Sequence, residues 1–181
     1  MLFRSEKAHD VRRSLRIARF KSGKYTIERP LHLGAVIAEP NPNRHAPLLH
    51  ALSAYGLPLG EAFQLRDDLL GIFGDPATTG KPAGDDLREG KRTVLIAMAL
   101  EKTSSSGRSE LMKHLGASDL TSAQVENLRH IITESGAVAE VEKLINQLAD
   151  ESNSAAHNDV IHEKARPFLL ALAESATKRS Y

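Results

Sequence analysis

The chain has 181 residues, with 24 Lys plus Arg against 23 Asp plus Glu, a formal net charge of +1 and no cysteine. That length suits one domain, and 41% hydrophobic with 26% charged residues is the balance of a globular protein with a core, which excludes a disordered or fibrous chain. The absence of cysteine excludes disulfides, thiol catalysis and Cys-ligated metal centres, and the near-neutral charge argues against a dedicated nucleic-acid binder.

No apolar run reaches the roughly 18–20 residues of a membrane span, and Met1-Leu2-Phe3-Arg4 does not open a secretory signal. The expectation is a cytoplasmic protein without a transmembrane segment. Aromatic residues are only 4% and Trp is absent, while Ala and Leu abound, so helices are favoured over strands. The fold expected is all-α, a helical bundle forming one domain over residues 1–181.

In chain order, the first helix is expected over Ala8 to Phe20, with Val11, Leu15 and Ala18 at helical spacing and a weak point at Ser22-Gly23. Its Arg12, Arg13, Arg16 and Arg19 read as a solvated face. A second helix, Leu31 to Ala38, stops at Glu39-Pro40-Asn41-Pro42-Asn43. A third, Pro47 to Tyr55, runs into Gly56-Leu57-Pro58.

The helix from Leu59 to Phe73 is the informative one. Leu59, Ala62, Phe63, Leu69, Leu70 and Phe73 form a core-facing stripe, and beside it run Gln64, Asp67, Asp68 and Gly71 at i, i+3, i+4 and i+7. Neighbouring carboxylates repel and are costly to desolvate, so a divalent cation is one compensation. A solvated helix face is the other, and spacing alone leaves both open.

After the stop at Gly74-Asp75-Pro76 comes a Gly-, Pro- and Thr-rich loop running to Asp86, with Lys81 inside it and Lys91 beyond, a composition suited to wrapping an anion. It is not a Walker A loop. Gly74 and Gly80 are separated by five residues rather than four, Pro82 stands where the hydroxyl belongs, and no strand precedes it. Further helices are expected over Thr93 to Glu101, Ser109 to Leu115, from a capping box at Thr121 and Gln124 to Ser135-Gly136, over Ala137 to Ala149, and over Asp159 to Ala176 with a kink at Pro167. The eight histidines show no metal-binding spacing.

The segment Phe63-Gln64-Leu65-Arg66-Asp67-Asp68-Leu69-Leu70-Gly71-Ile72-Phe73-Gly74-Asp75-Pro76 resembles the second aspartate-rich motif of the trans-isoprenyl diphosphate synthases, the polyprenyl synthetase family. Thr79-Gly80-Lys81, Gly84-Asp85-Asp86-Leu87 and Lys91-Arg92-Thr93 follow in that family's order, and Lys21-Ser22-Gly23 resembles its upstream lysine motif.

The resemblance implies a partial isoprenoid synthase fold and condensation of an allylic diphosphate with isopentenyl diphosphate, assisted by Mg2+. It implies Asp67 as a magnesium ligand, with Asp68 beside it in the metal shell, and Lys21, Lys81 and Lys91 on the allylic diphosphate. Ser22 and Gln64 would face the developing cation, and partnership would be as a homo-oligomer or with a complementing chain.

Two departures shape the expectation. Position 71 is Gly where the motif Asp-Asp-x-x-Asp has its third carboxylate, leaving Asp75 to reach the metal through water. The family's first aspartate-rich motif has no counterpart in the twenty residues before Lys21, and Asp85-Asp86-Leu87-Arg88-Glu89 occupies the slot of a different motif. The chain therefore resembles the C-terminal half of the family's sequence. Three readings follow: a truncated synthase, weak or inactive alone; a non-catalytic partner subunit; and a helical interaction domain whose motifs are coincidental.

Overall fold

A computed structural model describes residues 10–39, 41–80, 82 and 84–178, and among them every regular element is helical. The helices are α1 (Val11–Ala18), a π-helical segment (Arg19–Glu28), α2 (Arg29–Ala38), α3 (Pro42–Phe73), α4 (Pro76–Thr79), α5 (Asp85–Arg88), α6 (Val94–Lys102), α7 (Ser105–His114), α8 (Ser122–Glu134), α9 (Ala137–Ala156) and α10 (Arg166–Thr177). The all-α expectation holds. Two units divide the chain, one taking in the described part of Met1–Leu15 with Leu65–Lys143, the other Arg16–Gln64 with Leu144–Arg179.

Several boundaries differ from the sequence reading, each for a physical reason. Ser22-Gly23 does not end a helix. The chain passes through it in the wider π register, where the Arg29 N–H donates five residues back to the Lys24 carbonyl and the Thr26 hydroxyl donates to the Lys21 carbonyl at 3.2 Å. Nor does Gly56-Leu57-Pro58 break α3, which runs unbroken for 32 residues with Pro47 and Pro58 inside it. Tyr55 and Leu59 on either side are fully buried, so packing outweighs the hydrogen bond that Pro58 cannot make.

The expected loop after Phe73 contains two short helices, the first capped by Asp75, whose side chain accepts from the Ala77 N–H. α7 starts at Ser105, four residues before the expected Ser109, because the Ser104 hydroxyl accepts from the Gly107 N–H at 3.1 Å. The capping box at Thr121 and Gln124 is present as expected. The last helix begins only at Arg166, with Pro167 in its first turn, where a missing N–H costs nothing.

Each unit has its own core. In the unit of Arg16–Gln64 and Leu144–Arg179, buried Ala51, Tyr55, Leu59, Ala156, Ile161, Leu169 and Ala173 pack together, with Ile27, Leu31 and Phe63 against them. Here the Tyr55 hydroxyl donates to the Leu169 carbonyl at 2.7 Å, and the Ser152 hydroxyl donates to the Tyr55 carbonyl at 3.0 Å. In the other unit Leu65, Leu69, Ile72, Leu87, Leu95, Leu100, Leu128 and Ile132 are fully or almost fully buried. A bidentate pair, Arg66 to Glu142 at 2.7 Å through both nitrogens, joins α3 to the start of α9. Leu65 and Ile72 lie outside the stripe expected for α3 yet are completely enclosed, because this helix is surrounded on several sides.

Candidate diphosphate and metal site

The π segment brings the lysine motif to α3. Position 60 must be Gly, because a β-carbon there would overlap the Gly23 backbone and the Ser22 carbonyl. That close approach seats the Ser22 hydroxyl, 3% exposed as a residue, so that it donates to Gln64 Oε1 at 2.6 Å. Sequence reasoning named both residues, and the structure pairs them directly. Lys21, beside Ser22, is exposed.

One turn before Gln64 stands a buried acid that sequence reasoning passed over. Glu61 accepts from Arg19 at 2.8 Å. Burial raises the Glu61 pKa above the ordinary carboxylate range, the Arg19 guanidinium pulls it back, and the Glu151 carboxylate adds to the rise. The signal was present in the spacing, since Glu61 lies three residues before Gln64 and Arg19 two before Lys21.

In the other unit, Asp67 is exposed while Asp68 is 5% exposed, so the carboxylate face of α3 is not a uniformly solvated surface. Four residues beyond Asp67, Gly71 meets α5. A β-carbon built on Gly71 would overlap Oδ2 and Cγ of Asp86, with Oδ1 at 2.9 Å. Asp86, itself 5% exposed, is held firmly from several sides. Gly84 opens α5 at φ 70°, and its own β-carbon would strike Val125. The Gly116 N–H donates to the Leu87 carbonyl at 2.8 Å, and Arg88 donates to the Leu120 carbonyl at 2.8 Å.

Lys91 closes this corner. Its ammonium is bonded to the Asp86 carboxylate and to Glu89 at 2.9 Å, and its backbone N–H donates to the Asp86 carbonyl at 3.0 Å. Burial works against the charged amine, but the bonds to Asp86 and Glu89 outweigh it and hold the Lys91 pKa above the usual lysine range. Carboxylate oxygens of Asp85, Asp86 and Glu89 lie within 4.8 Å of one another; those of Asp67 and Asp68 are not part of that group. Asp75 is exposed and serves as the cap of α4. Lys81 lies outside the described residues.

The donor set around Gly71 consists of carboxylate oxygens, with no sulfur or imidazole near in sequence, which suits a hard cation such as Mg2+. An open polar groove of about 540 Å3, lined by Lys102, Ser104, Glu110, His130 and Glu134 among others, contains none of these residues. Among the described residues no helix is long and apolar enough to cross a membrane.

The profile of the family described as Polyprenyl synthetase matches residues 1–133. The chain is 36% identical over 138 residues to a geranylfarnesyl diphosphate synthase of Aeropyrum pernix, covering 76% of this chain and 41% of that protein. It is 32% identical over 147 residues to a geranylgeranyl diphosphate synthase of Mycobacterium tuberculosis, covering 81% and 40%. It also superposes on the crystal structure of a geranylgeranyl pyrophosphate synthase from Corynebacterium glutamicum complexed with isoprenyl diphosphate and magnesium, with TM-score 0.87 and 43% identity, covering 95% of this chain and 48% of that one. The chain thus spans about two fifths of the length of the curated relatives and about half of the solved one.

Proposed function

This chain belongs to the polyprenyl synthetase family, and on that premise we propose that it takes part in prenyl transfer, the condensation of an allylic diphosphate with isopentenyl diphosphate. The observation that carries this reading is the buried 2.6 Å hydrogen bond from Ser22 to Gln64 Oε1, which brings together residues of two separate family motifs. Apart from that pair, buried acids are kept in place by partners that offset their desolvation, Lys91 for Asp86.

In this reading Asp67 and Asp68 hold Mg2+, which when bound offsets the negative charge of the leaving diphosphate. Lys21, Lys81 and Lys91 hold diphosphate oxygens as point charges. Ser22 and Gln64 present oxygen atoms, one fixed against the other, toward a carbon gaining positive charge. Their hydrogen bond sets the orientation of both dipoles before substrate arrives, the kind of preorganisation that makes charge stabilisation effective. Of the family's two aspartate clusters only the second has a counterpart in these 181 residues, so these residues alone turn over slowly, and full rate needs carboxylates from outside them.

The test is turnover by the purified chain with magnesium, labelled isopentenyl diphosphate and a panel of allylic diphosphates. Slow product formation that Asp67→Ala eliminates is the expected result. Absence of product with magnesium-dependent diphosphate binding intact favours the non-catalytic partner reading, and absence of both overturns the assignment.

A further inference from the structure

Arg66 stands one residue before Asp67 on α3, and its side chain is 9% exposed. Both of its terminal nitrogens donate to the Glu142 carboxylate of α9 at 2.7 Å. A planar guanidinium held at two points fixes direction as well as distance. Successive residues of an α-helix project about 100° apart, so whatever locks Arg66 also sets where Asp67 and Asp68 point. We propose that Arg66 is a positioning residue: its two-point pair with Glu142 fixes the rotation of α3 about its own axis at which Asp67 and Asp68 are presented to a divalent cation.

Three observations support this role. The rotational setting is visible in the two acids themselves, Asp67 being exposed and Asp68 only 5% exposed. A turn of about 20° would carry a carboxylate oxygen through about 2 Å, a whole Mg–oxygen bond length, and Mg2+ demands near-ideal ligand geometry. The far end of the same segment is pinned by a second arginine. Arg129 of α8 donates through Nε at 2.7 Å to the Ile72 carbonyl, in the last turn of α3, where a helix supplies no donor of its own. Its Nη1 is tied to Glu126 at 2.6 Å, while Nη2 is buried without a hydrogen-bond partner. An orphaned buried donor lowers stability, so this guanidinium is arranged for the carbonyl it holds rather than for its own full satisfaction. Finally, a buried ion pair seldom adds net stability over apolar side chains of similar volume, whereas a bidentate one does specify a geometry.

This inference rests on the proposed function, and its test separates the two. Mn2+ binding in the presence of inorganic diphosphate is measured on the full chain by calorimetry and electron paramagnetic resonance, at a temperature where circular dichroism shows each variant folded. The variants are Asp67→Ala, Arg66→Gln, Glu142→Gln and the double variant Arg66→Met/Glu142→Met. Charge and direction predict different signs. By charge alone, removing the Arg66 cation beside Asp67 should tighten Mn2+ binding and removing the Glu142 anion should loosen it, whereas loss of direction weakens binding in both. The double variant removes one charge of each sign and substitutes apolar chains for the pair, a change that is often neutral for stability.

The expected result is Mn2+ binding by wild type, its loss in Asp67→Ala, and a roughly 10–100-fold weakening in Arg66→Gln, Glu142→Gln and the double variant, the range for groups that orient metal ligands from behind. The resonance of bound Mn2+ should broaden in the same three, because its ligands no longer hold one geometry. Wild-type affinity in the folded double variant, with binding lost in Asp67→Ala, overturns the inference and leaves the functional reading standing. Tighter binding in Arg66→Gln does the same, since the pair would then act by charge and not by direction. No Mn2+ binding by wild type overturns both. If the double variant does not fold, the sign of the Arg66→Gln effect against that of Glu142→Gln still decides.

Discussion

Around Ser22 the polar groups are neutral, enclosed and bonded to each other; around Asp86 they are charged and matched to opposite charges across a short loop. The Ser22–Gln64 bond of 2.6 Å is secured by a backbone approach that tolerates only Gly at position 60, so its geometry is settled before any ligand arrives. Asp86 is equally well seated, but its partner Lys91 sits on a flexible stem and is still 42% exposed in its side chain. The first arrangement preorganises dipoles. The second holds a buried carboxylate against a counter-ion that stays partly exposed.

The comparison is broken most severely at Asp67. Asp67→Ala removes the exposed member of the carboxylate set, and magnesium-dependent binding of an allylic diphosphate should fall below detection by calorimetry, with thermal stability unchanged because this side chain is solvated. Next in size is Gly60→Ala, which forces a β-carbon into the Gly23 backbone. We expect about 2–3 kcal/mol of destabilisation in urea unfolding, at the upper end of overpacking effects because backbone rather than side chain must move. Ser22→Ala, which withdraws a donor from buried Gln64, should cost about 1–2 kcal/mol, and Ser22→Thr should recover most of it by keeping the hydroxyl. Equal effects of Ser22→Ala and Ser22→Thr would show that packing, not the hydrogen bond, fixes this pair.

How much of this was legible in the sequence depends on the range of the interaction. The all-α class, the capping box at Thr121, and the importance of Ser22 and Gln64 through the family resemblance could be read, since periodicity, caps and ordered motifs are local or recurrent signals, whereas the bond between those two residues came only from the structure. The continuity of α3 through Pro58 could not, because Gly-x-Pro is a local stop that the burial of Tyr55 and Leu59 overrides. The π register was equally hidden. It coincides with the close approach of Ser22-Gly23 to Gly60, a contact between segments 37 residues apart in number that no local propensity records. Gly71 is the instructive case: read along one helix it is a missing acid, whereas in the fold it is the space that another residue's acid occupies.

The smallest expected effect concerns Glu61, and it sharpens the contrast from the neutral side, where one ionisable group is enclosed near the Ser22–Gln64 pair. Burial raises its folded-state pKa, so the folded chain keeps this proton to higher pH than the unfolded chain does. Protonation therefore favours the fold: the contribution is complete below the ordinary glutamate value and is lost as pH rises through the raised folded value. The difference in melting temperature between wild type and Glu61→Gln isolates this group, because the other titrations are common to both. It should move against wild type by a few degrees or less across that window and stay flat on either side. Arg19 opposes the shift through its 2.8 Å bond, so Arg19→Gln should carry the decline to higher pH. A difference curve that rises with pH instead would mean that the ion pair with Arg19, rather than burial, governs Glu61.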